Sequence, residues 1–245
     1  MRFLGIDLET FDDTNPDPDA DLVPHRHRIV AIGYLAIDTQ TPNVVVDSGV
    51  WTAAVVPPVP MYERVVLVAL NDLVERLNPN VEAMQALKYD VLTYNGFRWD
   101  LPVLTMRMFR HGLQAPWMES KDFRYPYSTV GHFDIGHYLS GRGQMSPMSA
   151  WAASMGLPGK MGISGQDVQR LVTEGDVATL EDYCMSDVLQ QMLIGLRVQY
   201  MRGLLGVDQY NNSCSKVLRH FLKGPWPSAR SISTSSDVFV VPPQS

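Results

Sequence analysis

Short apolar runs at residues 3–8 and 29–37 have the length of buried strands, and residues 44–51 read as a third. The acidic, Pro-containing stretch 12–27 between the first two is expected to be loop. Pro57, Pro58 and Pro60 stop the third strand, after which residues 61–77 take up helical spacing. Residues 90–94 give a fourth strand, Asn95-Gly96 a turn, and 100–111 a helix that tolerates Pro102 in its first turn, where a missing N–H is not needed. Residues 120–143 are rich in aromatic, basic and Gly residues and are expected to be mostly loop, with a short helix over 134–139. Helices are expected over 147–155, 164–173 and 176–203, the last being the longest. Residues 208–222 read as one more helix, and 224–245, rich in Pro and Ser, as an extended tail. The chain has no internal repeat.

Composition narrows this α/β pattern to a single globule. Of 245 residues, 45% are hydrophobic and 19% charged, enough to bury a sizeable core. No run approaches the roughly 18 apolar residues of a membrane helix, and the N-terminus reaches an Asp at position seven, so neither a membrane partner nor secretion is expected. Cys184 and Cys214 fall in no zinc-like spacing and form no disulfide framework, which suits a reduced, cytoplasmic setting. The net charge is −6, and its distribution matters more than its sum. Residues 1–24 hold Asp7, Glu9, Asp12, Asp13, Asp17, Asp19 and Asp21 against Arg2, so the rest of the chain sums to zero. A carboxylate-rich patch on a neutral body suits divalent cations, and acidity of this kind does not exclude nucleic acid.

Three constellations carry candidate chemistry. In Gly5-Ile6-Asp7-Leu8-Glu9-Thr10 the carboxylates of Asp7 and Glu9 stand two apart on a strand, so they share one side while Ile6 and Leu8 face the other. A polar strand end would look the same. In Asn95-Gly96-Phe97-Arg98-Trp99-Asp100, Asp100 sits at a strand-to-helix junction, as a helix cap or as a ligand. In Tyr183-Cys184-Met185-Ser186-Asp187 a spacing of four places the phenol and the carboxylate on one helical face, although Asp187 could also belong to a solvated face and Tyr183 to the packing.

In this order, on a strand, a strand–helix junction and a helix, the set resembles the DEDD superfamily of 3′-to-5′ exonucleases. The resemblance implies a ribonuclease H-like fold, a mixed central sheet flanked by helices. The third motif of that superfamily ends in Y-x-x-x-D or H-x-x-x-x-D; here Tyr183 stands four before Asp187 and Asp182, not His, stands five before it, so the chain is similar to the tyrosine subclass. Residues 92–104, 132–139, 156–168 with its Pro-Gly-Lys segment, and 182–203 resemble the predicted bacterial exonucleases related to the proofreading domain of family B DNA polymerases. The resemblance covers neither the acidic loop nor the chain after about Tyr210, and it implies an exonuclease domain over 1–210 followed by a C-terminal extension over 211–245.

What the resemblance implies about function is metal-dependent removal of nucleotides from a free 3′ end, most simply of single-stranded DNA. Two hard cations can activate a water, stabilise the crowded anionic transition state and assist the leaving oxygen. An all-oxygen ligand set selects Mg²⁺ or Mn²⁺ over zinc. By resemblance Asp7, Glu9 and Asp187 hold one ion and Asp7 with Asp100 the other, while Tyr183 orients the attacking water. An ordinary phenol pKa near 10 makes Tyr183 a poor base at neutral pH. Candidate substrate contacts are Phe97 and Trp99 by stacking, with core packing as the other reading of Trp99. Arg98, Arg124, Lys160 and His132 are candidates for backbone phosphates, and Asn95 is chiefly a turn residue positioning Asp100, with a substrate contact as its second reading. The same chemistry on RNA, and a silent nucleic-acid-binding module on the same fold, are the alternatives; five intact site positions speak against the second.

Overall fold

The computed structural model describes residues 1–12, 14, 23–40, 44–53, 60–79, 87–125, 128–141 and 143–234. Asp13, Asp17, Asp19 and Asp21 of the acidic loop lie outside the described residues, as do Pro57, Pro58, Tyr127, Arg142 and the chain after 234. Five strands, β1 (Arg2–Phe11), β2 (Arg28–Asp38), β3 (Val45–Thr52), β4 (Asp90–Thr93) and β5 (His132–Asp134), form one sheet in the order β3-β2-β1-β4-β5. β2 is antiparallel to both β1 and β3, whereas β4 and β5 run parallel to β1. The helices are α1 (Pro60–Leu77), α2 (Asp100–His111), α3 (Lys121–Arg124), α4 (Ile135–Ser140), α5 (Met148–Ser154), α6 (Asp167–Glu174), α7 (Val177–Met201), α8 (Val207–Leu222) and α9 (Pro227–Thr234). This mixed sheet flanked by helices is the ribonuclease H-like α/β architecture. No helix among the described residues is long and apolar enough to cross a membrane.

Both faces of the central strand are covered, which is why its sequence is a nearly continuous apolar run. Ile6 and Leu8 pack with Leu67, Leu70, Leu101 and Leu104 of α1 and α2. Phe3 packs on the opposite face among Val188, Met192 and Leu193 of α7. Helix α7 is apolar around most of its circumference because the sheet lies on one side and α8 and α9 on another.

Glycine sets how closely α7 approaches. Gly33 pairs with Asp7 across the β1–β2 ladder, and a Cβ there would lie 2.8 Å from the Cys184 sulfur and 3.0 Å from a Val188 methyl. On the helix side, a Cβ at Gly195 would meet Leu92 at 2.8 Å. Between these points the buried Gln191 amide donates to the carbonyls of Ile6, at 3.1 Å, and Leu92, at 2.8 Å. The β1–β4 ladder runs only to Gly5–Leu92, so Gln191 serves carbonyls where the two strands part.

Two regions depart from the sequence expectation. Residues 132 and 133, read as loop, and 134, read as the start of a short helix, form strand β5 against β4, with all three residues buried. Residues 227–234, read as extended tail, form α9. Ala229 and Ile232 are fully buried in the core, and the Ser228 N–H donates to the Asp182 carboxylate of α7 at 2.9 Å, serving a helix start that would otherwise carry an unpaired donor.

Candidate active site

The C-terminal half of β1 opens into a cleft of about 630 Å³ whose walls include Asp7, Glu9, Thr10, His27, Trp99, Lys160, Tyr183 and Asp187. The ladder register shifts between Glu9 and Thr10, a bulge at the cleft after which pairing resumes at Thr10–Ile29 and Phe11–Arg28. Ile6 and Leu8 are buried on the other side, as alternation requires. Helix α7 begins at the N-cap Asp176, whose carboxylate accepts from the Thr179 N–H, and its second and third turns carry Tyr183 and Asp187 to the cleft. Asp100 stands in the first turn of α2, only 5% exposed; it is not the cap, because the cap position is Trp99.

The acids sense one another. Burial pushes Asp7 up to about 6, partly offset by hydrogen bonds with Glu9 and Cys184. Burial and then the charges of Asp7, Asp187 and Asp100 hold Glu9 well above the usual carboxylate range. Asp100 is raised by burial, Asp7 and Asp134, although its own N–H and that of Leu8 favour its charged form. Asp187 reaches about 8 through burial and Asp7, moderated by the Tyr183 hydroxyl and the Lys160 charge. The phenol of Tyr183 is pushed far above its ordinary value by burial and then by the carboxylates of Asp187, Glu9 and Asp7, so it stays protonated and able to donate. Carboxylates held this close, with the Asp7 charge acting on Glu9, Asp100 and Asp187, are a donor set that a hard divalent cation fits. Ligand atoms of Asp7, Glu9 and Cys184 lie within 4.8 Å of one another. The Cys184 thiol points at the Asp7 carbonyl at 3.7 Å and burial raises it well above its usual value, so it remains a protonated packing group under Gly33.

The candidate substrate contacts separate. Lys160 is exposed on the cleft wall, and Trp99 is half-buried there with its ring edge-on to His27 at 4.8 Å. Arg98 is exposed beside it. Phe97 is half-buried and faces away from the cleft, edge-on to His132 at 4.5 Å, and lines a neighbouring groove. Arg124 is exposed but pairs with Glu119 beside that groove. Asn95 adopts φ 68°, and its carbonyl accepts from the N–H groups of Arg98 and Trp99, which folds the turn before Asp100. His132 is a correction. It is fully buried, hydrogen-bonded to the Thr93 hydroxyl at 2.8 Å, and burial lowers its pKa to about 3; a neutral ring with no access to solvent cannot hold a phosphate.

Two participants carried no signal of their own in the sequence. Asp134, 3% exposed, caps α4 by accepting from the His137 N–H and reaches back to accept from the N–H groups of Asn95 and Phe97, all at 3.0 Å, so it pins the turn that delivers Asp100. An Asp before a short helix shows only the cap. His27, at the end of the acidic loop, meets the Thr10 hydroxyl at 3.0 Å and supports Trp99.

A family model described as a predicted 3′-5′ exonuclease related to the exonuclease domain of PolB matches residues 22–230. No curated protein matches the chain. The matched span runs from before β2 to α9 and takes in Asp100, Tyr183 and Asp187, while β1, with Asp7 and Glu9, joins them through the sheet. With most of its length matched, the chain belongs to the family of predicted 3′-5′ exonucleases related to the exonuclease domain of PolB.

Proposed function

We propose that this protein is a metal-dependent 3′-5′ exonuclease of the tyrosine subclass that hydrolyses phosphodiester bonds from the 3′ end of single-stranded DNA. The observation that supports the reading is that Asp7, Glu9 and Asp187 line one cleft together with Tyr183, while the buried Asp100 in the first turn of α2 lies close enough for the Asp7 charge to act on it. Exonuclease domains of this kind use divalent metals. Mg²⁺ or Mn²⁺, two per site, would supply activation of a water and charge stabilisation at the attacking and leaving oxygens. Asp7, Glu9 and Asp187 would hold one ion and Asp7 with Asp100 the other.

The protein's own groups do the rest. Tyr183 donates from a fixed phenol and orients the attacking water. Lys160, exposed on the cleft wall and near enough to act on Asp187, offers a cation to the phosphate. Trp99, propped by His27, offers a ring face for a terminal base. The carboxylates act on the phosphate and are blind to the sugar 2′-OH, so DNA and RNA are separated by assay. End-labelled single-stranded DNA, duplex DNA and RNA are incubated with Mg²⁺ or Mn²⁺. Shortening from the 3′ end of single-stranded DNA, stopped by EDTA and restored by either ion, is the expected result. Restoration by Zn²⁺ alone, or no shortening of any substrate, overturns the reading.

Tyr183→Phe separates catalysis from packing, since it keeps the ring and all four carboxylates. Turnover is expected to fall roughly 5- to 150-fold, the value of one orienting hydrogen bond of about 1–3 kcal/mol. KM should change little. Wild-type kcat, measured where chemistry limits the rate, would return Tyr183 to a packing role.

A further inference from the structure

Beyond the cleft, the surface continues in one direction only a few residues away. Phe97 stands two residues before Trp99, and His25 two before His27, on the far side of the Trp99–His27 contact from Asp7 and Glu9. Phe97 and His25 line a groove of about 460 Å³ with Pro24, Leu101, Pro102 and Met106. His25 also borders a second hollow of about 280 Å³, which holds Arg26, Arg28, Arg107 and Arg110.

Charge distinguishes this surface from the acidic stretch that precedes it in the chain. In the second hollow Glu63 is already engaged by Arg107 through two short hydrogen bonds, which leaves Arg26 and Arg110 facing the hollow as exposed cations. Arg28 lies over the Phe11 ring at 4.6 Å. Arg26, Arg98 and Arg110 are exposed and have no side-chain partner among the described residues. An apolar shelf bordered by unpaired guanidinium groups is what single-stranded nucleic acid requires: flat surfaces for bases and cations for phosphates.

We propose, building on the exonuclease reading, that the substrate strand runs outward from its 3′ terminus in the carboxylate cleft, over the Trp99–His27 step, and along the Phe97–Met106 groove to Arg26 and Arg110. Arg110 stands ten residues after Asp100 on α2, a rise of about 15 Å. The track therefore has room for a few nucleotides behind the terminal one, near the low end of single-strand site sizes of about 4 to 16. It makes the protein a reader of strand length: a strand too short to reach Arg26 and Arg110 forgoes those contacts.

The test measures binding apart from turnover. Fluorescence anisotropy with labelled oligodeoxynucleotides of two and ten residues, in EDTA, compares the wild type with the double variant Arg26→Ala, Arg110→Ala. A second double variant, Arg219→Ala with Lys223→Ala, makes the same charge change on exposed residues at the end of α8, across the sheet. The ten-residue strand is expected to bind the wild type about tenfold or more tighter than the two-residue strand, and the first double variant to lose most of that ratio. Its dependence of log Kd on log salt should flatten by about 1.4, or 0.7 for each lost phosphate contact. The second double variant should behave as wild type, and equal melting temperatures establish that all three proteins are folded. Equal losses in both double variants, or none in the first, overturn the track. If the first variant alone loses affinity but the wild type shortens no strand with Mn²⁺, the track stands and the exonuclease reading falls.

Discussion

Asp7→Asn is expected to lower kcat by about 10³-fold or more, equivalent to roughly 4 kcal/mol of transition-state stabilisation. The reason is position. Asp7 sits midway along β1 opposite Gly33, and its charge is felt by Glu9, Asp100 and Asp187 alike, which suits it to serve both proposed ions. The amide keeps the shape and removes the charge. Stability should move the other way: burial and like charges oppose ionisation here, so the metal-free variant should melt at the wild-type temperature or above it. Loss of turnover in a protein that melts no lower is the diagnostic pair. If kcat stays within tenfold of wild type, Asp7 is not a ligand and the first motif is structural.

Glu63→Ala is expected to cost about 3–5 kcal/mol of folding stability, or on the order of 6–20 °C in Tm for a domain of this size. Glu63, in the first turn of α1 and 2% exposed, accepts from Arg107 at 2.6 and 2.5 Å, from the Ile29 N–H at 2.8 Å, and meets His111 at 2.7 Å. One carboxylate thus ties α1, α2 and the start of β2, and removing it strands the 8%-exposed Arg107 without its partner. Burial alone would raise the Glu63 pKa, but the bonds from Arg107, His111 and Ile29 outweigh it and leave it lowered. A lowered carboxylate contributes stability above its unfolded value near 4.5, lost as pH falls through the folded value. The wild type should therefore lose stability below about pH 4.5 more steeply than Glu63→Ala, as followed by denaturant unfolding across pH. Parallel pH profiles would show that the network is not coupled to folding.

How much the sequence reveals depends on whether a signal is local. Strands β1 to β4 and helices α1, α2 and α7 declare themselves because each has its own apolar period and punctuation. β5 does not: three residues, His132, Phe133 and Asp134, have no periodicity to read, and their strand form comes from pairing with β4. Helix α9 is Ser-rich with weak helical preference, and packing of Ala229 and Ile232 on the core holds it. The site follows the same division. Asp7 with Glu9, and Tyr183 with Asp187, are visible as spacings of two and four, because strand and helix geometry convert spacing into a shared face. The burial of His132, the reach of Asp134 back to Asn95, and the Glu63–Arg107 pair are contacts across 37 to 44 residues of chain, and no single-segment pattern encodes them.

Gly33 has no functional group, yet the distance between the strand that carries Asp7 and the helix that carries Tyr183 and Asp187 passes through the space its missing side chain leaves. Each atom added there would act as a shim between sheet and helix. Position 33 therefore offers an adjustable spacing for the reaction chamber, in which the gap between the two halves of the carboxylate set can be widened stepwise while every acid keeps its identity.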